Sequence, residues 1–276
     1  MSMRHLLEHL QIEPKKSLGQ NFMVEPAALE RIVDAADLAP DDVVLEIGAG
    51  LGALTDLLAR RARRVVALEV DDRVLPFLRQ RYADDPHVSI VRQDILEADI
   101  AGLLGPDVAR YKVVANVPYY ITSAILRHLL ESPHPPRLLV ITMQREVAQR
   151  ITAGPGDMSL LAVSVQFYGA PRIVARLKPG VFYPPPNVQS AVVCITPHAQ
   201  PYLPPAEWAD FFHMVRAGFS QKRKQLKNCL SAGLTMPIEQ AAAWLERAGI
   251  DPRRRAETLS IAEWLALYAA GQGLIR

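Results

Sequence analysis

Five short apolar runs, VVLEI, RVVALEV, VSIVRQD, KVVAN and LLVITMQ, recur between residues 43 and 144, and helical patterns at 52–63, 73–83 and 122–131 lie between them. This alternation constrains the fold more than any other feature of the chain. A run that is apolar at nearly every position has no face to give to water, so it must be covered on both sides, and the intervening helices supply the cover. The result is an α/β fold on a parallel sheet, preceded by a further helix at 26–36. Two more stretches, LAVSVQFYG and VQSAVVCITP, read as strands joined through FYPPPN. The Pro-rich TPHAQPYLPPAE at 196–207 then breaks the pattern. Beyond it WADFFHMVRAGF, IEQAAAWLERAG and IAEWLALYAA carry helical spacing. This places a boundary near residue 200, with a sheet domain over 1–200 and a smaller all-α domain over 201–276.

Composition excludes several classes. The two cysteines, Cys194 and Cys229, are far apart and have no ligand spacing, so neither a disulfide framework nor a metal site is expected. The opening MSMRHLLEHL lacks a long apolar core, and no later segment reaches the roughly 18 apolar residues that a membrane span needs. A cytoplasmic, membrane-free protein is the expectation. Net charge is only +2, yet residues 201–276 carry ten Lys+Arg against seven Asp+Glu, whereas 21–200 carry 18 against 20. The excess gathers in SQKRKQLKN (Lys222, Arg223, Lys224, Lys227) and DPRRRAE, with Lys15 and Lys16 near the start. A charge run is most often a solvated helix face; several on one chain also suit a nucleic-acid partner.

The stretch VVLEIGAGLGALT is a strand that enters a glycine-rich turn and opens a helix. Gly48, Gly50 and Gly52 allow a sharp turn and close approach to a ligand, and the helix start favours negative charge. Glu69, at the end of the next strand, is placed to accept hydrogen bonds from two ribose hydroxyls. Gly48, Gly50 and Ala53 also satisfy the dinucleotide pattern, so a dinucleotide cofactor stays open at this point. Asp94, which otherwise reads as a helix cap, can accept from an adenine amino group while the Ile95 N–H reads a ring nitrogen. Glycine loop, Glu69 and Asp94 together form a compact adenosine pocket and favour S-adenosylmethionine.

KVVANVPYYIT puts Asn116, Pro118 and Tyr119 at the end of the fourth strand, where open parallel sheets bind ligands. Asn and Pro start turns, which is the plain reading of this stretch. Chemistry offers another. The exocyclic amine of adenine is a poor nucleophile because its lone pair is delocalised into the ring. The Asn116 amide oxygen and a nearby backbone carbonyl could accept its two hydrogens and aim the lone pair at a sulfonium methyl. Tyr119 could stack on the base, with Pro118 stiffening the turn.

KKSLGQNF, LEIGAGLGALT, ALEVD, RQDIL, NVPYY, MQREVAQRI, FYPPPNVQSAVV, FSQKRKQLKN and GIDPRRRAETLS follow one another along nearly the whole chain. In that order they resemble the KsgA/RsmA family of ribosomal RNA adenine dimethyltransferases. The resemblance implies a Rossmann-like class I methyltransferase sheet and S-adenosylmethionine-dependent dimethylation of two adjacent adenines near the 3′ end of small-subunit rRNA, late in subunit assembly. It places the cofactor on Asn21, Met23, Gly48, Glu69, Asp94 and Asn116, and the target base on Asn116, Pro118, Tyr119 and Phe182. Without it, Phe182 before YPPP reads as a plug for a stiff loop; with Tyr119, it could sandwich an extruded adenine. The small ribosomal subunit becomes the expected partner, of a monomer. Three departures stand out: Val117 in place of the usual leucine of Asn-Leu-Pro-Tyr, Met23 for leucine, and Ala49 for proline. AGPGDMSLLAV also lacks a Tyr-Gly often found before this segment. Macrolide-resistance methyltransferases of large-subunit rRNA share the glycine loop and the Asn-x-Pro-Tyr type of motif, but the tail GIDPRRRAETLS argues against them.

Overall fold

The computed structural model describes residues 3–271, 273 and 274 apart from 16, 17, 107 and 109. The chain forms two compact units, one of residues 1–148 and 171–197 and the other of 149–170 and 198–276.

The first unit holds a seven-stranded sheet. Its parallel part comprises β2 (Val43–Ile47), β3 (Arg64–Glu69), β4 (Val88–Arg92), β5 (Lys112–Asn116) and β6 (Leu138–Gln144). β9 (Ser190–Pro197) pairs antiparallel with β6, and β7 (Gly169–Leu177) closes the edge, giving the order β4-β3-β2-β5-β6-β9-β7. All five residues of β2 are buried, as a central strand with helices on both faces requires. Those helices include α2 (Pro26–Ala35), α3 (Ala53–Ala59), α4 (Leu75–Arg81), α5 (Ile100–Leu104) and α6 (Thr122–Leu130), while α1 (Met3–His9) precedes them. In α2, Pro26 stands at the first helical positions, where its missing N–H costs nothing, and Ala28, Leu29, Ile32 and Val33 form the buried stripe. Each fully buried Leu, Ile or Val contributes about 1.5–3 kcal/mol.

Register matters for function. Ile47 lies opposite both Leu68 and Ala115, so Gly48, Glu69 and Asn116 reach the same rim of the sheet. Strand order reverses between β2 and β5 at that rim, which is where such sheets leave a crevice. Above it a separate two-stranded ribbon joins β1 (Phe22–Met23) to β8 (Phe182–Tyr183), with Phe22 opposite Tyr183 and Met23 opposite Phe182.

The second unit contains α8 (Leu160–Gln166), α9 (Trp208–Gly218), α10 (Leu226–Gly233), α11 (Ile238–Arg247) and α12 (Ile261–Ala270). α7 (Arg145–Ile151) spans the point at which the chain first passes between units. Two sequence expectations change here. LAVSVQF is helical, because Ser159 caps the segment by accepting from the Ala162 N–H at 3.1 Å, and Ala162, Val163 and Phe167 pack with Phe211 and Trp244. For the same reason residues 149–170 group with the helical unit, so the first unit is not the continuous 1–200 expected from sequence. The strand lies just beyond, in β7. No helix of the described residues is long and apolar enough to cross a membrane.

Candidate active site

A cavity of about 360 Å³ opens at the rim where β2, β3, β4 and β5 end, within the volume range of small-molecule sites. Gly48, Gly50, Glu69, Asp94, Ile95, Asn116, Pro118, Tyr119 and Phe182 all line it, with Asn21 and Met23 from the amino-terminal segment. The first unit therefore gathers every cofactor and base position expected from sequence into one crevice. Gly48 has φ +80°, and a Cβ there would stand 3.1 Å from the Asn116 carbonyl oxygen. A side chain would thus fill the close approach between the glycine loop and the end of β5.

Glu69 is 7% exposed and accepts three backbone hydrogen bonds, from Gly50 at 2.8 Å, Val70 at 2.8 Å and Asp71 at 2.9 Å. Burial raises its pKa and the three amides oppose the rise. A carboxylate offers about four lone-pair sites, so about one remains for a ligand hydroxyl, on the Gly50 side. Beneath the loop Glu46 is fully buried; it accepts from Thr55 Oγ1 at 2.6 Å, and burial pushes its pKa up to about 8. Its Oε1 has no partner among the described residues.

Asp94 caps a short 3₁₀ turn by accepting from the Leu96 N–H at 2.9 Å, and the same residue lines the cavity. Ile95 is buried, while Val70 and Leu96 are 46% and 37% exposed and line the same end of the cavity. Two apolar walls beside two carboxylates suit a flat adenine with its ribose, so the residues present fit S-adenosylmethionine.

At the other end, Asn116 Nδ2 points to the Asn21 carbonyl at 3.5 Å, which turns Oδ1 away as an acceptor with no partner among the described residues. Tyr119 shares a 2.6 Å hydrogen bond with the buried Ser190, and burial raises its pKa, so the phenol stays neutral. Phe182 is only 3% exposed and belongs to the core cluster as well as the cavity wall, combining the plug with the lining position.

The profile of the family described as ribosomal RNA adenine dimethylase matches residues 12–271. The chain belongs to that family. This dimethylase is 44% identical to a protein of Dehalococcoides mccartyi named ribosomal RNA small subunit methyltransferase A, over 96% of the chain and 90% of the relative. Among solved structures, the 23S rRNA methyltransferase ErmE superposes with a TM-score of 0.73 at 30% identity, covering 91% of this chain and 99% of ErmE. A dimethyladenosine transferase from Plasmodium falciparum shares the fold, with a TM-score of 0.79 at 24% identity over 92% of this chain and 98% of that one. The fold is a class I methyltransferase sheet with a carboxyl-terminal helical region.

Sequence reading missed how the dimethylase anchors its amino-terminal segment. Asp71, 2% exposed, accepts from Gln20 Nε2 at 2.8 Å and from Arg73 Nε at 2.9 Å and Nη2 at 2.6 Å. Arg73 also donates to the Glu13 carbonyl at 2.8 Å. The Arg73 guanidinium holds the Asp71 pKa down at about 2. This clasp ties Glu13 and Gln20 to the turn that follows Glu69. EVDDR hints at the local Asp–Arg pair, but nothing in sequence links it to Gln20.

The basic residues divide. Lys222, Arg223 and Lys224 are exposed and Lys227 half-buried, before and within the first turn of α10. Lys15 is exposed in the first unit, and Lys16 lies outside the described residues. In DPRRR, Arg253 pairs with Asp251 and Arg254 is bound to Glu263 and Thr258, so that run is partly structural. Among the described residues no group of three or more His, Cys, Asp or Glu side chains could hold a metal ion.

Proposed function

We propose that the chain dimethylates two adjacent adenines near the 3′ end of small-subunit rRNA. The reaction class, S-adenosylmethionine-dependent rRNA adenine dimethylation, follows from family membership. The observation that carries the finer reading is an intact Asn116-Val-Pro-Tyr turn lining the same cavity as Glu69 and Asp94, in a chain so similar over its length to a small-subunit methyltransferase.

In this reading Gly48, Gly50, Glu69, Asp94, Ile95, Asn21, Met23 and Asn116 hold the cofactor. S-adenosylmethionine would supply an electrophilic methyl group carried on a sulfonium. Asn116 Oδ1, freed by the turn of its amide toward Asn21, accepts a hydrogen of the adenine amine and draws its lone pair out of the ring plane. Pro118 fixes the turn. Tyr119, tethered by Ser190, presents its ring to the base, and Phe182 backs the opposite wall. No general base is required, because the cationic amine formed sheds its proton to water. Fixed dipoles and orientation carry the rate. Lys15, Lys16, Lys222, Arg223, Lys224 and Lys227 supply affinity for the phosphate backbone. We also infer that the enzyme acts as a cytoplasmic monomer on small subunits late in their assembly.

Purified small and large subunits lacking these methyl groups, incubated separately with enzyme and labelled cofactor, should show label only on small subunits, at two neighbouring adenines on mapping. The likeness to ErmE gives the second reading, a large-subunit adenine. Label confined to large subunits would replace the first reading with the second.

A further inference from the structure

Beside the residues assigned to base and cofactor, a large exposed side chain on the same rim has no role. Tyr120 is 67% exposed, the most exposed of the described large hydrophobic residues, yet it lines the cavity. Its neighbour Tyr119 turns inward to Ser190, whereas Tyr120 faces outward from the same 3₁₀ turn, Tyr119–Ile121. Among the described residues its hydroxyl has no hydrogen-bond partner and its ring has no aromatic or cationic one. The exposed Tyr202 of the second unit differs: its ring packs against His198 at 4.5 Å and Phe167 at 6.1 Å.

The position of Tyr120 is nonetheless fixed. Pro118 sets the entry to the turn, and the Ile121 N–H closes it on the Pro118 carbonyl at 3.3 Å. Gly19 backs the ring: it has φ +56°, and a Cβ there would stand 3.2 Å from Tyr120 Cε1 and 2.9 Å from Pro118 Cβ. Only glycine lets the amino-terminal segment lie this close. The ring is thus supported by backbone on one side and open to solvent elsewhere, at the mouth of a cavity that takes one base.

A base inside the cavity is covalently joined to its neighbours, which must lie just beyond the mouth. Single-stranded nucleotides out of their stack are held by stacking on aromatic rings, and any base offers a face for this. We propose that Tyr120 is a second stacking platform, which holds the nucleotide adjoining the adenine in the cavity. The inference rests on the dimethylation reading above. It assigns Tyr120 a positioning role: the platform keeps the strand on the enzyme while the first adenine leaves the cavity and the second enters.

The test uses the full chain on unmethylated small subunits at saturating S-adenosylmethionine, with Tyr120→Ala, Tyr120→Leu and Tyr120→Phe. Loss of one base–aromatic stack should lower kcat/KM about tenfold in the Ala and Leu variants, mostly through KM. Tyr120→Phe keeps the ring and should stay near wild type. Mapping of the Ala product should show subunits with only one of the two adenines dimethylated, a pattern that a merely structural role would not produce. Cofactor affinity by calorimetry and the melting temperature should not move in any variant. Tyr120→Ala equal to wild type in kcat/KM and in product pattern overturns the platform. So does Tyr120→Leu performing as well as Tyr120→Phe, since that would show apolar cover rather than stacking. A wild-type enzyme that leaves small subunits unmethylated instead overturns the reading beneath the inference, and the two failures are told apart by that control.

Discussion

Glu69→Gln should separate the backbone contacts of this carboxylate from the ribose contact proposed for it. Glutamine keeps the shape but has one acceptor oxygen where glutamate has two. The three amides converge from two sides, Gly50 on Oε2 and Val70 with Asp71 on Oε1. The best placement leaves the oxygen on Val70 and Asp71 and sets the new NH₂ against the Gly50 N–H, donor to donor. One buried unsatisfied donor costs about 1–3 kcal/mol. In a protein of this size that lowers the melting temperature by roughly 2–4 °C per kcal/mol, without any cofactor present. The same placement turns the one lone-pair site left for a ribose hydroxyl into an N–H. A hydrogen bond to a charged group contributes about 1.5–3 kcal/mol, so the dissociation constant for S-adenosylmethionine should rise about tenfold to a hundredfold. Scanning fluorimetry of the cofactor-free protein and isothermal titration read the two effects independently. A variant that melts and binds like wild type would refute both the lone-pair argument and the placement of the ribose.

Asn116→Ala should slow single-turnover methyl transfer about a hundredfold to a thousandfold at saturating cofactor, as expected for loss of one preorganised polar group, and Asn116→Asp should retain more activity; Ala turning over like wild type would return NVPYY to a plain turn. Replacing Lys222, Arg223, Lys224 and Lys227 by Ala should flatten the salt dependence of subunit binding by about 0.7–0.9 units of log–log slope for each phosphate no longer neutralised, with cofactor affinity untouched, and an unchanged slope would mark the cluster as a solvated face. Glu46 has a folded pKa raised from 4.5 to about 8, so between those values the unfolded chain releases a proton that the folded chain keeps. Its contribution is complete below pH 4.5 and is lost as pH rises through about 8, so Glu46→Gln should flatten the decline of melting temperature with pH across that window; parallel curves for variant and wild type would contradict the raised pKa.

Legibility followed local pattern. β2, β3, β5 and β6 are legible as mostly buried apolar runs and β4 as a half-buried one, and Gly48, Glu69 and Asn116 each fall where such a run stops. α8 was misread because Val163, Val165 and Phe167 favour strands, while the competing forces, the Ser159 cap and packing on Phe211 and Trp244, are partly non-local. β7 was missed because an edge strand need not be apolar, and exposed Arg172 and Arg176 with a Pro171 disguise it. The clasp of Gln20 on Asp71 joins positions far apart in sequence and leaves no periodic trace. Phe182 lines the cavity as its position before YPPP suggests, but its depth in the core follows only from the pairing of β8 with β1.

That pairing also sets a schedule. Met23 is made early and its partner Phe182 about two-thirds of the way along the chain. At the usual elongation rate of about 5–20 residues per second, the roughly 160 intervening residues take on the order of 8–30 s to appear. During synthesis β2, β3 and β5, which carry the glycine loop, Glu69 and Asn116, are all complete before β8 exists. The nascent protein therefore owns these cavity-lining groups well before it owns Phe182, which lines the same cavity from the late strand, so the crevice is an open shelf in that interval. The ribbon is complete only when the late strand arrives to pair with the early one.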